Sequence, residues 1–277
     1  MSLVTRLYFA VVAVVGLVTG AVLLLAPATT GEYFAWPISP PLTAVFMGAG
    51  YLGTGVTMAI GLLMARTWGE ARLIIPPITV FAASMVAATL LHADRFLWNR
   101  LITWLWLGLY CVIVLGAIGI QLIERRRGPA TNGARLPPPE RVALLAVGVA
   151  TAAWAVPLFV APTVGAALWP WTLSPLTARV IAGWVAVAAT LALIASARGD
   201  SASIRLPLLG WTITVALFLI ASLANRGGFI SGPTGELDLR TLTFFGALIV
   251  SVVGSLWLLA RVRSRLRTGS ARDIRTS

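Results

Sequence analysis

The chain reads as an all-α integral membrane protein: eight transmembrane helices arranged as two parallel, pseudo-two-fold-related four-helix repeats. Three observations lead there. Hydrophobic residues make up 58% of the 277 residues and charged residues 11%, with a mean hydropathy of +0.91; a soluble domain of this length needs more charge to cover its surface. Apolar runs fall at about 7–26, 42–64, 73–91, 101–123, 142–161, 176–197, 206–224 and 241–260. The last four runs repeat the punctuation of the first four.

Each run is about 19–23 residues long, enough to cross a hydrocarbon core of roughly 30 Å as a helix. Backbone amides find no water in lipid, so a helix, which pairs them internally, is the form that spans. The short alternating segments of a β-barrel are absent from the sequence. The first run has features of a secretory signal, with Arg6 before it and Ala26-Pro27-Ala28 after it. Its length, and an equivalent run in the second half where no signal could stand, favour a retained span.

The repeat is legible residue by residue. Ser39–Ala44 (SPPLTA) returns as Ser174–Ala178 (SPLTA), Ala26-Pro27 as Ala161-Pro162, and Trp36 as Trp171. Ala65-Arg66 returns as Ala197-Arg198 and Arg72-Leu73 as Arg205-Leu206, while Arg100 and Thr103 align with Arg240 and Thr243. Matches that keep their order point to a duplication. The expected units are a first repeat at 1–123, a cytoplasmic linker at 124–140 carrying Arg, Gly and a triple proline, a second repeat at 141–260, and a basic tail at 261–277. An even number of spans per half makes both halves enter from one side, so the repeat axis runs along the membrane normal.

All 21 basic residues are arginine. Sixteen fall at the N-terminus, in the second, fourth and sixth loops and in the tail; Arg95, Arg100, Arg179, Arg226 and Arg240 fall on the other side. The positive-inside rule then places both termini in the cytoplasm, with the protein in the plasma membrane. The net charge of +12 follows from this bias and suits an anionic inner leaflet, so membrane lipids rather than nucleic acid are the expected partners. The single cysteine, Cys111, lies within a span and leaves no internal disulfide.

Within the spans, Gly48, Gly50 and Gly53 form G-x-G-x-x-G, but no strand precedes them, so close helix packing is the expected role rather than dinucleotide binding. Pro76, Pro77 and Pro207 are expected in first helical turns, where proline is tolerated, and Pro157 within a span. Thr19, Thr54, Thr57, Ser84, Thr89, Thr190, Thr212, Thr214 and Ser251 are expected to bond between helices. The outer loops GEYFAWPISPP and GAALWPWTLSP should form short amphipathic or partly re-entrant segments. Trp36, Trp98, Trp169 and Trp171 are the expected aromatics of that outer interface.

The densest polar cluster near lipid is His92-Ala93-Asp94-Arg95-Phe96, matched loosely by Leu223-Ala224-Asn225-Arg226 and Phe229. His92, Asp94, Arg95, Asn225 and Arg226 form the candidate outer-face site, to be weighed against ordinary helix ends anchored at the interface. One histidine cannot supply a zinc set, and no nucleophile–histidine–acid set or phosphate loop appears. Glu32, Asp94, Glu236 and Asp238 lie in outer loops or at span ends, so no acid stands mid-membrane where a proton- or sodium-coupled carrier needs one; Glu236 and Asp238, beside Gly232-Pro233, suit a solvated turn. No catalytic residue, metal or cofactor is assigned.

A helix closing in Ala-Pro, an aromatic and proline-rich loop and a Gly-rich second helix together resemble the DoxX-like group of small bacterial four-helix membrane proteins. Phe34–Ala44 and Leu91–Phe96 also resemble strings in duplicated, poorly characterised actinobacterial integral membrane proteins. The resemblance implies a four-helix bundle per half and accessory roles in larger complexes, and transfers no catalytic residue. The expected function is thus a non-enzymatic accessory or scaffold subunit of a membrane or envelope complex, with other membrane subunits as partners. The alternative is a carrier or binding protein for a lipid or other apolar molecule in a cleft between the halves, its mouth near His92, Asp94 and Arg95. A membrane enzyme is the remote reading.

Overall fold

The computed structural model describes residues 1–125, 133–229 and 238–276, with side chains described as far as Leu266. The expected turn at Gly232, Pro233 and Glu236, the linker arginines Arg126 and Arg127, and the tail side chains Arg267, Arg272 and Arg275 lie outside these. In chain order the α-helices are α1 (Leu3–Leu25), α2 (Thr30–Tyr33), α3 (Pro41–Met64), α4 (Trp68–Ala71), α5 (Ile75–Leu91), α6 (Leu101–Arg125), α7 (Pro138–Val160), α8 (Pro162–Ala167), α9 (Pro175–Arg198), α10 (Ser201–Ala224) and α11 (Leu239–Thr276). Among the described residues no strand forms, and the one β-bridge joins Arg135 to Asp200.

Seven of these helices are long and apolar enough to cross a membrane; α5, at 17 residues, is the shorter apolar one. At 1.5 Å per residue α5 spans about 26 Å. The protein is therefore a helical, polytopic membrane protein.

Burial sorts the helices into two classes. Most of the apolar window of α3, α9 and α10 is buried, whereas a third of it or less is buried in α1, α6, α7 and α11. The outer helices pack one by one on inner ones: α1 on α3, α7 on α9, α6 on α5, and α11 on α10. The inner helices cross between halves, α10 packing on α3 and α5 on α9. The halves therefore interleave, and a separate four-helix bundle per half is not what forms.

Glycine explains why α3 sits at the centre. A methyl group at Gly48 would fall 2.9 Å from Leu24 of α1, one at Gly50 2.5 Å from the Trp184 indole of α9, and one at Gly53 2.5 Å from the Thr214 hydroxyl of α10. The three glycines thus face three helices, as a packing role for the motif requires. Against α1 the approach is backbone to backbone: a methyl at Gly20 would lie 2.5 Å from Leu52 N, and one at Gly55 2.6 Å from Leu17 N. Against α10 it is reciprocal, since Thr57 covers Gly210 as Thr214 covers Gly53. Thr57, Ser84, Thr89, Thr212 and Thr214 all bond carbonyls of their own helix. Bonds between helices come from Trp106 to Thr89, Trp211 to Ser251 and Thr212 to Ser255.

Helix ends gather on two sides. On the arginine-rich side, Glu124 accepts from Ser2 N (2.8 Å) and Thr5 Oγ1 (2.6 Å), joining α6 to α1. Arg265 of α11 pairs with Glu140 of α7, and Arg72 with Asp200 at 2.5 Å. Asp200 also caps α10 in a reciprocal box with Ser203. That cap starts α10 at Ser201, five residues ahead of the apolar run, so Pro207 sits inside the helix rather than in its first turn. The end of the linker is pinned there too: Leu136 is buried among Leu73, Leu191, Ile204 and Leu258, and its N–H donates to Gly199 O. Pro157 lies in the last turn of α7, which ends at Val160. The basic tail continues α11 as helix to Thr276.

Candidate functional site

On the tryptophan-rich side, His92 ends α5, and its Nε2 lies 2.5 Å from Arg179 Nη1 of α9. Guanidinium only donates, so His92 accepts and is held neutral at Nε2. Burial lowers the His92 pKa first and Arg179 adds to it, against the opposing pull of Asp94. Arg179 also donates to Phe159 O at 2.9 Å, tying the end of α7 to the start of α9. Asp94 and Arg95 pair with each other at 3.0 Å, both about 70% exposed, a geometry worth little in water. Asn225 donates to Ala221 O as a helix-end group, and Arg226 begins a single exposed turn. Among the described residues no hydrogen bond or ion pair joins His92, Asp94 or Arg95 to Asn225 or Arg226. The partner that the sequence reading missed is Arg179, which lies inside the apolar run 176–197.

The outer aromatics are placed differently from expectation. Trp36, Trp169 and Trp171 are 2%, 2% and 1% exposed, so their rings plug the helix ends instead of facing headgroups. Trp98 is half-buried, and its indole N–H donates to Ala93 O at 2.6 Å. Two aromatic clusters result. Phe34, Trp36, Phe96 and Trp106 interlock in one, and Trp169, Trp171, Phe229 and Phe244 in the other. The indole N–H groups of Trp36, Trp169 and Trp184 have no hydrogen-bond partner; aromatic rings surround them. Indole over ring face is a weak substitute for a bond.

Two clefts flank the Trp184–Trp211 pair. One lies between the halves, lined by Thr54 and Thr57 of α3, Pro77 of α5, Leu191 of α9 and Pro207 of α10. The larger opens to about 590 Å³ counting its open side and is lined by Thr151 and Trp154 of α7, Val185 and Ala188 of α9, Phe218 of α10, and Leu248 and Ser251 of α11, with Trp169 and Phe244 at one end. Its walls carry no ionisable group. Thr151 donates within α7, and Ser251 accepts from Trp211 at 3.1 Å. Such a lining can hold an uncharged apolar body. Among the described residues no three His, Cys, Asp or Glu side chains converge as metal ligands.

Comparison with protein-family models, curated proteins and solved structures finds no match.

Proposed function

We propose that this is a non-catalytic plasma-membrane protein that binds a lipid or other apolar small molecule. The observation that carries the reading is the large aromatic-walled cleft, free of charge and set among helices whose outer faces are apolar. It promotes to first place the function that the sequence alone ranks second, and it moves the site from between the halves to the second half, with Phe46 of α3 as the first half's contribution. The accessory-subunit reading ranks behind it, because the bare faces of α1, α6, α7 and α11 suit lipid as well as a partner.

The proposal includes eight crossings, with α5 as the eighth, in two parallel repeats with cytoplasmic termini. The pairing of helices supports it: exchanging α1 for α7, α3 for α9, α5 for α10 and α6 for α11 turns each major helix contact into another. Detail supports it too. Arg100 donates to Gly31 O within α2, and Arg240 to Ala167 O at the end of α8. Trp36 packs on Phe96 and Trp106 as Trp171 packs on Phe229 and Phe244. This equates Trp106 with Phe244, hence Thr103 with Thr241, two positions from the register that Arg100 and Arg240 suggest.

Native mass spectrometry of protein extracted in mild detergent tests the reading. It predicts a retained apolar molecule in substoichiometric to equimolar amount; a bare chain, or a chain seen only with stoichiometric protein partners, would overturn it.

A further inference from the structure

The geometry points to a hydrocarbon chain of a membrane lipid, inserted sideways between α7 and α11 with its headgroup left outside, as the occupant of the larger cleft. The inference rests on the binding function proposed above and narrows its ligand.

Four observations support it. First, the cleft has a lateral side. α7 packs on α9 and α11 on α10, and among the described residues Glu140 of α7 pairs with Arg265 and Arg261 of α11 at the arginine-rich end. Above that clamp the two outer helices flank the opening with Thr151 and Trp154 on one lip and Leu248 and Ser251 on the other. Second, the matching gap in the first half is shut. There α6 packs on α1, Tyr8 Oη donates to Ile113 O at 3.2 Å, and the Tyr8 ring covers Gly116.

Third, the space itself is a difference between the halves. In the first, Tyr51 and Tyr110 meet with hydroxyls 2.6 Å apart and pack with Trp106 and Phe81. In the repeat register Val185 stands for Tyr51 and Leu248 for Tyr110, and both line the cleft. Exchanging two tyrosines for two aliphatic residues removes ring volume at those two positions. Fourth, the chemistry of the walls fits methylene groups. Ring faces dominate, the Thr151 hydroxyl is committed to its own helix, and Ser251 to Trp211. The walls offer no charged partner to an ionic headgroup, which would be costly to bury bare. A compact charged ligand is thereby disfavoured, and a lipid whose headgroup stays at the bilayer surface is not penalised.

The test uses the whole protein in lipid nanodiscs, with a phospholipid brominated at mid-chain as one quencher and dissolved bromonaphthalene as the other. Trp154, Trp169, Trp184 and Trp211 line the cleft, four of the chain's 11 tryptophans. The bromolipid should quench wild-type emission clearly more than that of Val185→Tyr/Leu248→Tyr, which copies the tyrosine pair into the second half. Quenching of exposed Trp104 and Trp257 should be common to both. Equal bromolipid quenching in the two proteins overturns the inserted chain. If bromonaphthalene alone separates them, the cleft binds a compact molecule and the wider binding function stands. If neither quencher separates them, that function falls as well. Should the double variant fail to give monodisperse protein, Ala188→Phe fills the same space with one substitution and the same outcomes decide.

Discussion

His92 shows how one contact fixes a protonation state. Its Nε2 faces a guanidinium that cannot accept a proton, while Asp94 and Arg95 beside it largely satisfy each other. The folded pKa is lowered from the ordinary 6.5, so protonation is harder in the folded protein than in the unfolded chain. Stability is therefore full above that ordinary value and declines as pH falls below it, levelling off once the folded-state pKa is passed. Thermal unfolding of the detergent-solubilised protein at about pH 7.5 and about pH 5 should show a lower midpoint in acid. His92→Gln keeps an acceptor for Arg179 and should flatten the difference; an unchanged difference would remove His92 as its source. The sequence pointed to His92 because it is the lone histidine, yet tied it to its chain neighbours. Arg179, 87 positions away in sequence, was visible only as a charge to be counted.

At the scale of helices, close approach is decided by small side chains. Gly20 of α1 lies against α3 backbone, whereas Gly108 of α6 has nothing within 4 Å of where a methyl would stand. Gly20→Ala should then force α1 from α3 and cost roughly 1–3 kcal/mol. Gly108→Ala should be neutral or slightly stabilising, since alanine is the better helix former by about 1 kcal/mol. Unfolding of the two variants under matched detergent conditions checks the contrast, and similar losses in both would contradict it. Apolar runs and helix punctuation make most of these elements legible, because lipid demands length and apolarity of any span. Two boundaries escaped for physical reasons. The start of α10 is set by the polar Asp200–Ser203 box, and α11 continues past the apolar run into arginine-rich sequence. Both are backbone preferences to which hydropathy is blind.

At the scale of the molecule, the duplicated pattern foretold a pairing of helices, and internal contacts supply one in which α5 and α10 each reach across to the other half. What the pattern could not foretell is depth. Trp36, Trp169 and Trp171 suit an interface by composition, but in the fold their rings are buried at the helix ends. The cleft was hidden for the same reason: it arises where the halves differ at Tyr51 and Val185, and at Tyr110 and Leu248, whereas repeat reading searches for what they share.

The parallel repeat and the membrane setting of the cleft require the two aromatic loops to occupy one side of the bilayer and the α3–α4 and α9–α10 turns the other. Single cysteines introduced into a Cys111→Ala background at the exposed positions Ser39, Thr163, Thr67 and Ala197, labelled from each side of sealed vesicles, measure this directly. Ser39→Cys and Thr163→Cys should react from one side only, and Thr67→Cys and Ala197→Cys only from the opposite side. Reaction of Ser39→Cys and Thr163→Cys from opposite sides would contradict the parallel repeat and the membrane setting of the cleft built on it.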